Sequence, residues 1–400
     1  MYNVVANGLQ MSAFRDGHAH LRQMPLTATL IAEMLKGGTV GGVFMPNTKP
    51  PISRVFRRDH DDTHGWSIEG YMDMLKANGG DAFDCTIVPL YLSAETTPDM
   101  IRAGARAGVL KSIKYYPPHG TTNSDHGIPM DGLIGSDVLK AMEEEGVILN
   151  IHGEEHGQSN QNWFDKDTNA EDAFYKTKMP SLLEAHPNLK IVCEHITTRT
   201  AVNFVKAAGE NVKATITPQH ILYTVGDLLK RMETHMYCQP LPKFEDDRQA
   251  CMETAVGLER ISGTESRPYQ FVLNTKFMAG TDQAPHLLMN KMVDCGCASG
   301  AYFGETAIQM YAMAFDKAGV DIMTPEGAKA FHTFMVDNFN RTYGVPASDK
   351  VVLITRKPAS VHTVLTPAGE IKPMAVGMNP NHAKQGTTIP YSVEYMDMAA

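Results

Sequence analysis

The chain has 400 residues, 43% hydrophobic and 20% charged, which supplies a sizeable core and excludes a disordered or fibrous polypeptide. A net charge of −9 excludes the basic footprint of a general nucleic-acid binder but leaves room for a local cationic pocket that takes a small acid. Six scattered cysteines do not make a secreted disulfide framework. No basic-then-apolar leader opens the chain, and no apolar run approaches the ~20 residues of a membrane span, so a cytoplasmic protein is expected.

Eight short, often β-branched apolar runs read as buried strands. In chain order they are Met11 to His18, Thr39 to Met45, Cys85 to Leu92, Leu110 to Tyr116, Val147 to Ile151, Leu189 to Cys193, Lys213 to Thr217 and Phe277 to Thr281. Helical apolar spacing fills the intervals, at Ala28 to Lys36, Pro98 to Ala107, Asp137 to Glu145, Ala170 to Ala185, Thr200 to Ala208 and Asp246 to Leu258. Strand–helix alternation with right-handed crossovers gives a parallel sheet, and eight such units suit an α/β fold of the (β/α)8 TIM-barrel kind. An open doubly wound sheet is the alternative, but no Gly-x-Gly-x-x-Gly fingerprint follows an early strand. Two more helices are expected near Glu305 to Ala318 and Pro325 to Asn340. Past Gly344 the texture turns strand-like, at Lys350 to Thr355 and Ser360 to Leu365. The expected division is a barrel over 1–343 and a C-terminal extension of the same domain, 344–400, packed on it.

Most of the strand-like runs end in a residue able to do chemistry. His18 and His20 stand two apart, so an extended backbone turns both imidazoles to one side. Two surface histidines without a metal fit that pair equally well until partners are found. Lys114, His152, His195 and Asp282 sit at or near other strand ends. Four imidazoles and a carboxylate exceed what one catalytic zinc needs. Two metals need a bridge, which a lysine carboxylated on its side-chain nitrogen would supply; the plainer reading of Lys114 is a barrel lysine paired with an acid. His152-Gly-Glu-Glu-His156 matches the His-x-x-Glu-His peptidase pattern, which requires a helix. The apolar lead-in Val147 to Ile151 favours a strand, and His156 is expected as an exposed loop residue. Asp282 suits a metal ligand that also moves a proton, or more plainly a helix N-cap. Arg22, Asn47 and His286 together suit a carboxylate clamp, although each alone is more often a surface or capping residue. Cys295-Gly-Cys297 has no second pair at zinc-finger spacing and reads as structural or incidental.

Nine blocks in order then resemble the shorter bacterial class of dihydroorotase, within the cyclic amidohydrolase superfamily. They are Asp16-Gly-His-Ala-His-Leu-Arg22, Met45-Pro-Asn-Thr-Lys-Pro-Pro51, Lys114-Tyr-Tyr-Pro117, Thr121-Thr-Asn-Ser-Asp-His-Gly127, Ile151-His-Gly-Glu154, Glu194-His-Ile-Thr-Thr198, Thr215-Ile-Thr-Pro-Gln-His220, Gly280-Thr-Asp-Gln-Ala-Pro-His286 and Cys295-Gly-Cys-Ala298. The resemblance implies a zinc-dependent enzyme that interconverts N-carbamoyl-L-aspartate and L-dihydroorotate in pyrimidine synthesis. It implies two Zn2+, the first on His18, His20 and Asp282, the second on His152 and His195, bridged by N6-carboxylated Lys114. A metal-bridging hydroxide attacks the ring amide, and Asp282 is the general acid and base. Arg22, Asn47 and His286 would hold the substrate carboxylate, and a loop from Pro117 to Gly127 would close Thr121 and Thr122 over it. A homodimer acting on a small molecule is implied, with no nucleic acid or membrane partner.

Departures from the family pattern are Gly17 where Trp is common, Gln23 for an acidic residue, and altered chemistry across Gln239 to Arg248. The last of these falls where the resemblance implies backbone contacts to the substrate. The rival functions are another cyclic amidohydrolase, of hydantoinase or dihydropyrimidinase type, and a catalytically silent barrel serving as an assembly partner.

Overall fold

The computed structural model describes residues 1–58, 66–260, 269–272, 274–375 and 387–396. Parallel strands run in chain order through a three-stranded sheet, Phe14–Ala19, Thr39–Phe44 and Cys85–Ile87. A six-stranded sheet continues it with Leu90–Tyr91, Ser112–Tyr115, Ile148–His152, Ile191–Glu194, Val212–Ile216 and Phe277–Ala279. The two sheets share one strand, interrupted at Val88-Pro89, where proline has no N–H for the ladder. A parallel bridge from Ala19 to Gln283 joins the last strand to the first, as do His20 N to Gln283 O and Asp282 N to His18 O at 2.9 and 2.8 Å. Eight strands therefore close into the expected barrel, which removes both sheet edges.

Glycine permits the tightest approach. Gly41 and Gly42 have φ of 155° and 153°, and a Cβ on either would stand 2.2 Å from the Cys85 or Asp16 carbonyl oxygen. Several helices begin on side-chain caps, Thr97, Ser136, Asn169 and Thr198 among them. Their apolar faces and the outer sheet surface make one large core. A second, smaller core lies inside the barrel, where Val43, Met45, Ile87, Ile148, Val192 and Met278 meet Phe339 and Tyr343. This apolar plug floors the lumen. Two residues beyond Met45, Ile148 and Val192, the same inward direction carries the polar Asn47, Asn150 and Glu194.

Several elements differ from the sequence expectation. The run Met11 to His18 is two strands. Gly8–Ser12 leaves the barrel and only Phe14–Ala19 stays in it. Gly8–Ser12 pairs antiparallel with Tyr2–Val5 and with Val351–Thr355, which also pairs with Ser392–Met396. Both chain ends thus build one sheet. Pro325 to Asn340 contains a π-helical turn at Thr333–Asp337 before Asn338–Tyr343. Ser360 to Leu365 divides between Ala359–Val361 and Val364–Thr366. Helices at Ile68–Ala77, Pro218–Leu222 and Val225–Arg231 were not legible from apolar spacing. Residues 376–386 and 397–400 of the C-terminal extension lie outside the described residues. Among the described residues no helix is long and apolar enough to cross a membrane.

Candidate active site

The polar layer above the plug is built by strand periodicity. Ile148 points into the plug, so Asn150 and His152 stack above it on the same side of their strand. Asn150 pairs in register with Lys114, and His152 with Glu194. His18, His20, Lys114, His152, His195 and Asp282 are all buried at the strand ends. His18 Nε2 and His20 Nε2 lie 3.3 and 3.2 Å from one Asp282 oxygen, and donor atoms of these three residues lie within 4.8 Å of one another. The His195 ring stands 4.9 Å from that of His18 and 4.7 Å from that of His152, centroid to centroid. The Lys114 ammonium sits 5.0 Å from the Tyr116 ring centre. One lumen therefore gathers all six.

Their orientation comes from groups that strand patterning did not single out. Glu194 accepts from His18 Nδ1 at 2.8 Å, Asn150 Nδ2 at 2.5 Å and Thr215 Oγ1 at 2.6 Å. Glu154 faces His152 Nε2 at 2.7 Å, and Asn47 Oδ1 faces His20 Nδ1 at 2.8 Å. Asp16 accepts from Thr281 N, Thr281 Oγ1 and His18 N, fastening the last strand end to the first. A carboxylate or amide behind each of these rings fixes its tautomer, a common device behind metal-binding histidines. Only adjacency hinted at these partners: Glu194 precedes His195, and Glu154 follows His152 by two.

Among the described residues, Lys114 Nζ and His195 Nδ1 belong to the buried polar atoms without a hydrogen-bond partner, as do Asn150 Oδ1 and the Tyr116 hydroxyl beside them. Burial pushes Lys114 down to about 8 and holds His20 and His195 well below the usual histidine value. Neutral imidazole is the ligating form. Burial also raises the Asp282 carboxyl. His195, Asp282 and Arg22 have φ of 39°, 51° and 55°, a left-handed backbone uncommon for such residues and concentrated here at the site. Asp282 stands in a non-helical stretch rather than at a helix N-cap.

Arg22 and His286 lie side by side on the rim. His286 Nε2 is 2.9 Å from the Ser299 carbonyl and 3.1 Å from Arg22 Nη2. The carbonyl requires the ring N–H, so the guanidinium N–H facing that nitrogen has no acceptor there, and an incoming carboxylate would supply one. Burial, then Arg22 and Lys291, hold His286 down at about 3. Asn47 does more than rim duty: besides facing His20, its Nδ2 donates to Thr122 O at 2.9 Å. Asn123 Nδ2 donates back to Asn47 O at 2.9 Å, and Thr122 Oγ1 to Ser299 O at 3.3 Å. The stretch from Pro117 to Gly127 is thus docked over the cleft, with Thr121 and Thr122 half-buried.

His152 ends a strand, which removes the helix that a His-x-x-Glu-His peptidase needs. His156 is half-buried rather than exposed, beside Glu155 at 3.3 Å. A Cβ at Gly17 would stand 2.7 Å from the Ala279 carbonyl oxygen, so a larger residue there needs a different backbone. In the altered stretch, Lys243 is buried, donates to Leu241 O at 3.1 Å and lies 3.9 Å from Glu154. Cys295 is exposed, Cys297 is half-buried, and both are free thiols.

No family model matches the chain. A curated dihydroorotase from Shewanella amazonensis (strain ATCC BAA-1098 / SB2B) is 36% identical over 349 residues, 86% of this chain and 90% of that relative. This chain belongs to the dihydroorotase family. A dihydroorotase from Halorhodospira halophila (strain DSM 244 / SL1) is 34% identical over 86% of the chain and 89% of its own length. Among solved structures, dihydroorotase from Saccharomyces cerevisiae, in complex with 5-fluoroorotic acid, superposes with a TM-score of 0.78 at 25% identity, covering 98% of this chain and 100% of that one. The likeness spans the barrel and the sheet made by the two ends of the chain.

Proposed function

We propose that this protein reversibly interconverts L-dihydroorotate and N-carbamoyl-L-aspartate, the ring-closing step of pyrimidine synthesis. The observation that carries the reading is the Arg22–His286 pair, with an unmet guanidinium N–H, set on the rim above the His18–His20–Asp282 cluster. A substrate with a carboxylate beside a cyclic amide matches those two features at once.

The buried residues fit a pair of zinc ions. His18, His20 and Asp282 would hold one, His152 and His195 the other, and N6-carboxylated Lys114 would lie between them. The unpartnered Lys114 Nζ and His195 Nδ1 support that fit, since leaving such groups buried and unmet costs several kcal/mol. When bound, the ions supply Lewis acidity for an attacking water and for the amide carbonyl. The chain's own residues do the rest. Arg22, His286 and Asn47 hold the carboxylate so that the ring amide faces Asp282. Asp282 takes the proton from the attacking water and delivers it to the ring nitrogen as the C–N bond breaks; ring closure reverses the transfer. Thr121 and Thr122 close the cleft against bulk water. The reading extends to a barrel that starts at Phe14, with residues 2–12 and the 344–400 extension forming the end sheet of the same domain, to a cytoplasmic protein, and to a homodimer, as the family resemblance implies.

An absorbance assay of dihydroorotate opening, run with and without chelator, tests the reading. Turnover that chelator abolishes and zinc restores is expected. A zinc-loaded protein that leaves dihydroorotate intact removes it, in favour of another cyclic amide or a silent scaffold.

A further inference from the structure

Lys291 lies in the short helix Leu288–Lys291, outside every group assigned above, yet its side chain is buried. Its ammonium donates to three carbonyls, Tyr237 O, Ala298 O and Gly300 O, each at 2.8 Å. All three hydrogens are used, which is how a buried cation is made tolerable. The three acceptors come from two distant parts of the chain. Tyr237 leads into the Gln239-Pro240 stretch, and Ala298 and Gly300 flank Ser299. Gly300 N donates to Tyr237 O at 2.9 Å, so the two segments are pinned twice. Gly300 is the residue that permits the approach: its φ is 153°, and a Cβ there would stand 2.3 Å from Ala284 O. The consequence lies at Ser299. Its carbonyl faces His286 Nε2 at 2.9 Å and accepts from Thr122 Oγ1 at 3.3 Å. One backbone oxygen thereby anchors both a clamp residue and the docked 117–127 loop, and Lys291 holds the backbone on either side of it.

We propose that Lys291 is a positioning residue: by tying the 296–300 turn to Tyr237, it fixes the Ser299 carbonyl that aligns His286 and receives the lid through Thr122. The inference rests on the dihydroorotate reading for its substrate. Its removal should therefore loosen substrate binding while the metal ligands, which it does not touch, stay in place. A merely structural lysine would lower thermal stability and leave KM alone.

The test compares zinc-loaded wild-type, Lys291→Met and Lys291→Gln enzymes for zinc content, melting temperature, kcat and KM for dihydroorotate. Lys291→Met is expected to raise KM about 30-fold, with kcat within about threefold and zinc content unchanged. Lys291→Gln, which keeps one amide donor group, is expected to show a smaller rise. Thr122→Val, on the folded wild-type frame, probes the same anchor from the lid and should raise KM about threefold. A KM within twofold of wild type in the lysine variants, zinc loss accompanying the defect, or an unchanged KM in Thr122→Val overturns the inference. Wild-type enzyme inert toward dihydroorotate instead removes the functional reading, so the two failures are told apart.

Discussion

The two halves of the lumen differ in how far the polypeptide completes them. The His18–His20–Asp282 half is finished by protein groups: Glu194 and Asn47 stand behind its rings, and its carboxylate lies within 3.3 Å of both outer nitrogens. In the Lys114–His152–His195 half, only His152 has a carboxylate behind it, while Lys114 Nζ and His195 Nδ1 are buried without partners. A barrel could tolerate either arrangement alone. Side by side, they set a half whose donor atoms are met by protein groups against one that keeps two buried donor atoms unmet, with Lys114 and Glu194 standing between them. Burial is the first cause acting on Lys114, with Glu194 and Asp282 opposing it.

Removing Lys114 breaks the contrast most severely. Lys114→Ala is expected to lose at least ~1000-fold in turnover together with bound zinc, with partial recovery when a short carboxylic acid is supplied to replace the missing oxygens. Metal analysis and rescue kinetics check it; a fully active alanine variant refutes the bridge. Arg22→Ala sharpens the contrast by sparing both halves. It should raise KM for dihydroorotate about 100-fold at unchanged zinc content, because a bidentate charged contact is lost and no donor to the ions is. Equal turnover by that variant would take dihydroorotate out of contention. Glu194→Gln is the mildest. It keeps shape but gives up the charge behind His18, so zinc affinity in a chelator competition should fall about 10-fold to 100-fold, with the loss confined to one ion. Loss of both ions together would mean that the halves are not separable.

Much of the barrel could be read from local pattern. Six of the six lumen positions lie at or near ends of short apolar runs, and strand alternation alone predicts that Ile148, Asn150 and His152 share a direction. The helix Ala170–Ala185 has the bounds its apolar spacing implies. What failed has a common cause. Met11 to His18 is continuous in hydrophobicity, and nothing local says that Ser12 pairs with Val351 across the chain while Phe14 turns into the barrel. The docking of Thr122 and the double duty of Asn47 depend on contacts 75 residues apart in sequence.

The amino-acid sequence by itself determined the alternation of strands and helices, the donor types at the strand ends, and the family to which they point, because these follow from residue type and spacing. Tertiary structure decided which carboxylate stands behind which imidazole, that Lys114 is buried without a hydrogen-bond partner, and that both chain ends share a sheet. Those outcomes turn on which side chains meet after the barrel closes, and closure brings together residues such as Asp16 and Thr281, whose separation in the chain leaves no trace in any local pattern.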